Sequence, residues 1–115
     1  MIEKVTCAVD CGEVVNPNVV EAQMMSGIHC GVSSAMFGEV TITKGRVDQG
    51  NFDTYRFAKM AEMPPVETHI IRSGEAMGGV GEPGTPPLAP ALCNAIFAAT
   101  GKRIRQLPIQ KALFG

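Results

Sequence analysis

The chain has 115 residues with ten Lys and Arg against eleven Asp and Glu, a formal net charge of −1, which allows one domain and one core. Charged residues make up 18% and hydrophobic residues 45%, so there is less charge than the quarter or so with which a soluble protein covers its outside. The single basic cluster, Lys102, Arg103 and Arg105, is too small and too poor in aromatics for a nucleic-acid interface and sits where it would complement a helix C-terminus.

From Met1 the residues are strand-like rather than an apolar stretch, so no secretory leader is expected, and the charge-free runs are too broken for a membrane span to be expected. Residues Glu3 to Val9 alternate as a strand does, and Asp10-Cys11-Gly12 can end it. Asn16 and Pro17 then make a cap and first residue for a long helix. Val20, Met24, Gly27, Gly31 and Ala35 fall on one of its faces. Glycines on such a stripe cost helix propensity, and their use is to let another backbone come close. The other side, Ala22, Ser26, His29 and Ser33, carries no full charge, so this helix asks for cover nearly all round.

Gly38 stops the helix, and residues 39–42 and 46–48 on either side of Lys44-Gly45 read as a hairpin. A charged, irregular stretch follows, ending in Pro64-Pro65, and Val66 to Arg72 reads as a strand. A second helix begins between Thr85 and Pro90, runs through Leu92, Ile96 and Phe97 and ends at Gly101; Ile104 to Ile109 is expected to return as a strand. Mixed strands with two main helices packed on them give an α+β fold. The four cysteines, Cys7, Cys11, Cys30 and Cys93, include no C-x-x-C pair and are expected to be buried free thiols of a reducing, cytoplasmic compartment. His29 and His69 are expected to be structural, the latter without a partner. The neighbours His29 and Cys30 point about 100° apart on a helix and cannot form a nucleophile–base pair.

Between Ala76 and Gly101 one charged residue stands alone: Glu82, in Gly78-Gly79-Val80-Gly81-Glu82-Pro83-Gly84. A carboxylate buried without a counter-charge has a raised pKa and becomes a usable proton acceptor near neutral pH. The alternative reading is an exposed loop charge, or one that interacts with the free amides of the helix behind it. A glycine-rich segment alone does not decide between them.

The stretch Gly79-Val80-Gly81-Glu82-Pro83-Gly84-Thr85-Pro86-Pro87, with Ala89-Pro90-Ala91, Asn94-Ala95-Ile96 and the run from Thr100 to Ile109, closely resembles the C-terminal end of the molybdopterin-binding large subunit of molybdenum hydroxylases, the xanthine oxidase and aldehyde oxidoreductase family. Upstream, Val9-Asp10-Cys11-Gly12, Val15-Asn16-Pro17, Glu21-Ala22-Gln23 and Asn51-Phe52-Asp53-Thr54-Tyr55 resemble it too, so the likeness covers nearly the whole chain. Xanthine-dehydrogenase-like members often carry a lysine two residues before the valine, where this chain has Gly78. That departure favours the isoquinoline 1-oxidoreductase β-subunit branch and leaves the substrate open.

The resemblance implies that Glu82 is the general base beside the molybdenum, in a hydroxylation of N-heteroaromatics or aldehydes that takes its oxygen from water. It implies that Gly79, Val80 and Gly81 place backbone close to the molybdenum cofactor, a molybdopterin in its cytosine dinucleotide form. Family large subunits are several times longer, so residues 1–115 are expected to be a single partial domain, the C-terminal part of a cofactor-binding domain. It would be a truncated piece, a split subunit or a degenerate product, catalytically silent and without bound cofactor when alone. Electron exit would need an iron–sulfur subunit, since these four cysteines cannot hold such clusters. The expected partners are the remainder of a large subunit and that iron–sulfur subunit, with self-association when alone. The other reading is a non-catalytic interaction or assembly domain that reuses the fold.

Overall fold

Helix α1 (Pro17–Phe37) is the element on which the parallel strand pair and the two shorter α-helices pack. The computed structural model describes residues 1–114. Strand β1 (Val5–Asp10) precedes α1 and lies parallel to β4 (Val66–Ile71), in a register that sets Val5 opposite Val66 and Asp10 opposite Ile71. Parallel neighbours require a long crossover, and α1 forms much of it. Along both strands side chains alternate between α1 and solvent, with Val5, Cys7, Val9, Val66, Thr68 and Ile70 facing inward.

The start of α1 follows from its residues. Asn16 caps it, its side-chain oxygen accepting from the Asn18 amide at 3.1 Å, and Pro17, which has no N–H to satisfy, opens the first turn. Its buried stripe, including Val20, Met24, Gly27, Ile28, Gly31, Val32 and Ala35, divides the core in two. One cluster joins Val20 and Met24 to Val9, Cys11 and Val80; the other joins Ile28 and Val32 to Ala58 and Leu88. The uncharged opposite side is covered in part. The Ser33 hydroxyl accepts from the Ala58 amide at 3.3 Å, and His29 Nε2 donates to the Pro64 carbonyl at 3.1 Å, whereas Ala22 and Ser26 stay exposed.

Strands β2 (Ile42–Thr43) and β3 (Arg46–Val47) form an exposed hairpin, with positive φ at both Lys44 and Gly45, as its tight turn requires. The strands thus pair in both senses, as the α+β reading expects, but in two separate pairs. Helix α2 (Leu88–Thr100) ends where Gly101 donates to the Phe97 carbonyl at 2.8 Å.

Three expectations are corrected. Ile104 to Ile109 does not form a strand: it finds no neighbouring strand to pair with, and the chain turns at Pro108 into a short helix, α3 (Ile109–Phe114), whose Ile109 is 0% exposed. The cysteines are free, but only Cys11 is buried; Cys7 and Cys93 are half-buried, and Cys30, turned away from the stripe of α1, is exposed. His69 is not alone on its strand, since Glu67 Oε1 lies 3.1 Å from its Nε2.

The whole is more open than its mass requires. Its radius of gyration is 16.3 Å, where a compact domain of this length would have about 13 Å. Its accessible surface is 8083 Å², about 2,000 Å² more than the ~6,100 Å² of a folded monomer of this mass.

Candidate active site

The glycine loop leaves the carboxyl end of β4 and crosses the carboxyl end of β1, the side on which parallel α/β sheets bind ligands. Its path is fixed by named contacts. Asp10, the last residue of β1, accepts from the Ser73 hydroxyl at 2.8 Å and from the Gly12 amide at 3.1 Å. Gly12 has φ +70°, and a Cβ there would stand 2.1 Å from the Ala76 carbonyl oxygen, so only glycine lets the incoming segment lie this close. The Gly78 amide then donates to the Cys11 carbonyl at 2.8 Å.

Beyond Gly78 the four predicted site residues divide into one anchor and three outward positions. Val80 is half-buried and packs against the cluster of Val9, Cys11, Val20 and Met24. Gly79, Gly81 and Glu82 are exposed. A Cβ at Gly79 or Gly81 would meet nothing within 4 Å, so the backbone on this side is open to close approach by a flat, bulky group. Among the described residues no cation or hydrogen-bond donor engages the Glu82 side chain. The carboxylate is unpaired, as the sequence suggests, but this chain does not bury it. Of the two readings open from the sequence, residues 1–114 give the exposed loop charge and not the buried carboxylate.

After Glu82 the loop returns to α1. The Thr85 amide donates to the Glu82 carbonyl at 2.9 Å, closing a turn, and the Thr85 hydroxyl donates to the Gly27 carbonyl at 2.9 Å. Gly84 is buried, with space for a Cβ blocked at 2.9 Å by the Met24 carbonyl. The close approach foreseen for Gly27 and Gly31 is made by this segment: a Cβ on Gly27 would stand 3.3 Å from the Thr85 hydroxyl, and one on Gly31 3.0 Å from the Leu88 side chain. Gly12, Gly84 and Thr85 were not singled out from sequence as site residues, although Gly84 and Thr85 lie in the same motif. Beside the loop, an apolar groove of about 250 Å³ runs between β1, α1 and the start of α2, with Cys7, Met24, Ile28, Pro83 and Leu88 in its walls.

Among the described residues, no three His, Cys, Asp or Glu side chains gather where they could hold a metal ion. The loop offers open glycine backbone and one free carboxylate. That donor set fits a large cofactor that brings its own metal ligands, approached along Gly79 and Gly81.

A family model for the molybdopterin cofactor-binding domain matches residues 1–64, more than half of the chain, and the chain belongs to this family. It is 38% identical over 112 residues to the isoquinoline 1-oxidoreductase subunit beta of Brevundimonas diminuta, a match taking in 97% of this chain and 14% of that protein. It is 36% identical over 110 residues to a protein of Gluconacetobacter polyoxogenes named membrane-bound aldehyde dehydrogenase (pyrroloquinoline-quinone), covering 96% of this chain and 14% of the other. Both matches extend over the glycine loop, which the family model does not reach. In fold the chain matches quinoline 2-oxidoreductase of Pseudomonas putida 86 with a TM-score of 0.83 at 21% identity, over 95% of this chain and 15% of that one. The chain thus spans about a seventh of the length of these curated relatives. No helix among the described residues is long and apolar enough to cross a membrane.

Proposed function

We propose that this chain is the part of a molybdenum-dependent hydroxylase that carries its proton-accepting carboxylate, completed by the remainder of a large subunit and served by an iron–sulfur subunit. The observation that carries this reading is the placement of Glu82: unpaired, exposed, on a loop at the carboxyl end of the parallel strands, directly after two glycines open to approach. The molybdenum cofactor, as the cytosine dinucleotide, supplies the redox centre that oxidises an N-heteroaromatic or an aldehyde with oxygen drawn from water. Gly79 and Gly81 admit the cofactor to the backbone, and Val80 holds the loop down. Of the two protons that such a hydroxylation releases along with two electrons, Glu82 would take the one leaving the water-derived oxygen.

Desolvation strengthens a carboxylate as a base, and here it has to come from the surface that docks on the loop. The excess of about 2,000 Å² of accessible surface on this one chain is more than twice the ~800 Å² that each partner gives to a standard protein interface, which supports an extensive docking partner. Alone, the chain offers one half of a cleft and is expected to be inactive.

The test is Glu82→Gln in the enzyme reconstituted from this chain, the remainder of the large subunit and the iron–sulfur subunit. Loss of a positioned general base costs about 10²- to 10⁴-fold in turnover, with assembly and molybdenum content unchanged. Turnover equal to wild type would remove Glu82 from the mechanism. The excess surface also favours a second reading, a non-catalytic assembly domain. Under it, partners captured by the chain contain no molybdenum by metal analysis, and Glu82→Gln changes nothing measurable.

A further inference from the structure

Between Gly78 and Thr85 the loop has no backbone hydrogen bond to the rest of the fold; the half-buried Val80 side chain holds its middle, and Gly84 is buried against α1. The position of Glu82 therefore depends on how the loop is fastened at its two ends. The upstream end is tied to β1 by the Gly78–Cys11 hydrogen bond. The downstream end is tied to α1, a rigid 21-residue element, by one side-chain hydrogen bond and an interlock of glycines.

We infer that Thr85 and Gly27 are positioning residues that set where the Glu82 carboxylate stands by clamping its loop to α1. Two contacts carry this, and a third agrees with them. The Thr85 hydroxyl donates to the Gly27 carbonyl at 2.9 Å, and Gly84 lies where a Cβ would stand 2.9 Å from the Met24 carbonyl; a Cβ on Gly27 would come within 3.3 Å of the Thr85 hydroxyl. The Thr85 amide reaches back to the Glu82 carbonyl, so the residue that grips α1 also closes the turn that presents the carboxylate. A helical carbonyl already engaged within α1 is a poor place for a chance hydroxyl contact, and the glycine opposite Thr85 is what lets the two meet. That Glu82 is a base rests on the reading proposed above; the clamp itself does not.

The experiment uses the full 115-residue chain and measures backbone amide order by ¹⁵N relaxation, so no cofactor is needed. In Thr85→Val, order parameters at Gly79, Gly81 and Glu82 are expected to fall from about 0.85 to below about 0.6, while those of β1 and β4 stay at wild-type values. Thr85→Ser, which keeps the hydroxyl, is expected to restore them. By helix propensity alone, Gly27→Ala would raise the unfolding midpoint and leave the loop unmoved. The clamp instead predicts shifted amide resonances at Glu82 and Thr85. Wild-type order at 79–82 in folded Thr85→Val overturns the inference. Should that variant not fold, unchanged Glu82 resonances in Gly27→Ala overturn it equally. The pH–rate profile of Glu82→Gln in the assembled enzyme tests the base separately, so a loop that loosens without any change in that profile faults the base and not the clamp.

Discussion

Helices α1 and α2 are alike in composition and opposite in burial. The first has one carboxylate, Glu21, in 21 residues and the second has no charge in 13, yet eight residues of α1 are buried and only Leu88 of α2. The difference is one of neighbours. Helix α1 is met by the strand pair, the 58–64 segment, the glycine loop and both shorter helices, whereas α2 meets α1 near its first turn and little else. An uncharged helix declares that it needs cover, and does not say whether its own chain will provide it. Leu92, Cys93, Ile96 and Phe97 remain partly exposed, and Arg103 lies over the Phe97 ring at 3.5 Å from its centroid. Long side chains of this kind shield apolar surface while keeping their charge in water.

The largest effect that would sharpen this contrast is in the core of α1. Met24 is 2% exposed, and Met24→Ala is expected to cost about 2–5 kcal/mol in urea denaturation, because the cavity lies between β1, Val80 and the glycine loop. A cost below 1 kcal/mol would mean that the core is not centred on α1.

Next comes the seam between the two helices. Gly31→Ala gains about 1 kcal/mol of helix propensity but sets a methyl 3.0 Å from the Leu88 side chain and from the Thr85 carbonyl. Overpacking of this kind costs about 1–3 kcal/mol, so thermal unfolding is expected to show a net loss. A net gain would break the comparison by showing that α2 can move off α1 at no cost.

On the open face of α2, Ala95 and Ala98 are exposed and three residues apart, hence neighbours on one side. Ala95→Glu with Ala98→Glu is expected to change stability by no more than about 0.5 kcal/mol. The same pair should abolish self-association or capture of the large-subunit remainder, read as solution mass by light scattering. Undiminished association would place the docking surface elsewhere.

The smallest effect concerns pH. The Lys4 ammonium, hydrogen-bonded at 2.7 Å, and then His69 hold the Glu67 carboxyl below its ordinary 4.5, and the Arg56 guanidinium and the Lys59 amide do the same for Glu62. A carboxyl whose pKa is lower in the folded chain stabilises the fold at pH above the unfolded value. That contribution fades as pH falls from about 4.5 through the folded values. Both side chains are solvent-exposed, so screening keeps the effect slight. The thermal midpoint should fall a little more steeply below pH 4.5 in wild type than in Glu67→Gln.

Much of the frame is legible in the sequence because it rests on short-range rules. The cap at Asn16-Pro17, the turn at Lys44-Gly45, the stop at Gly101 and the alternation along both long strands each act within a few residues. The glycines of α1 were legible too, though not their partner: nothing near Gly27 in the sequence points to Thr85, 58 residues away. The 104–109 segment misled because Ile104, Leu107 and Ile109 suit a strand, and a strand exists only where another pairs with it.

By itself the sequence determined the order and kind of the principal elements, the lone acid at position 82 with its glycines, and through them the family, because caps, periodicity and motif spacing are local properties of the chain. The tertiary structure alone decided that Ile109 is fully buried, that Gly84 and Thr85 lock into α1, and that Glu82 faces solvent. Those outcomes depend on which distant surfaces reach one another in forming the core.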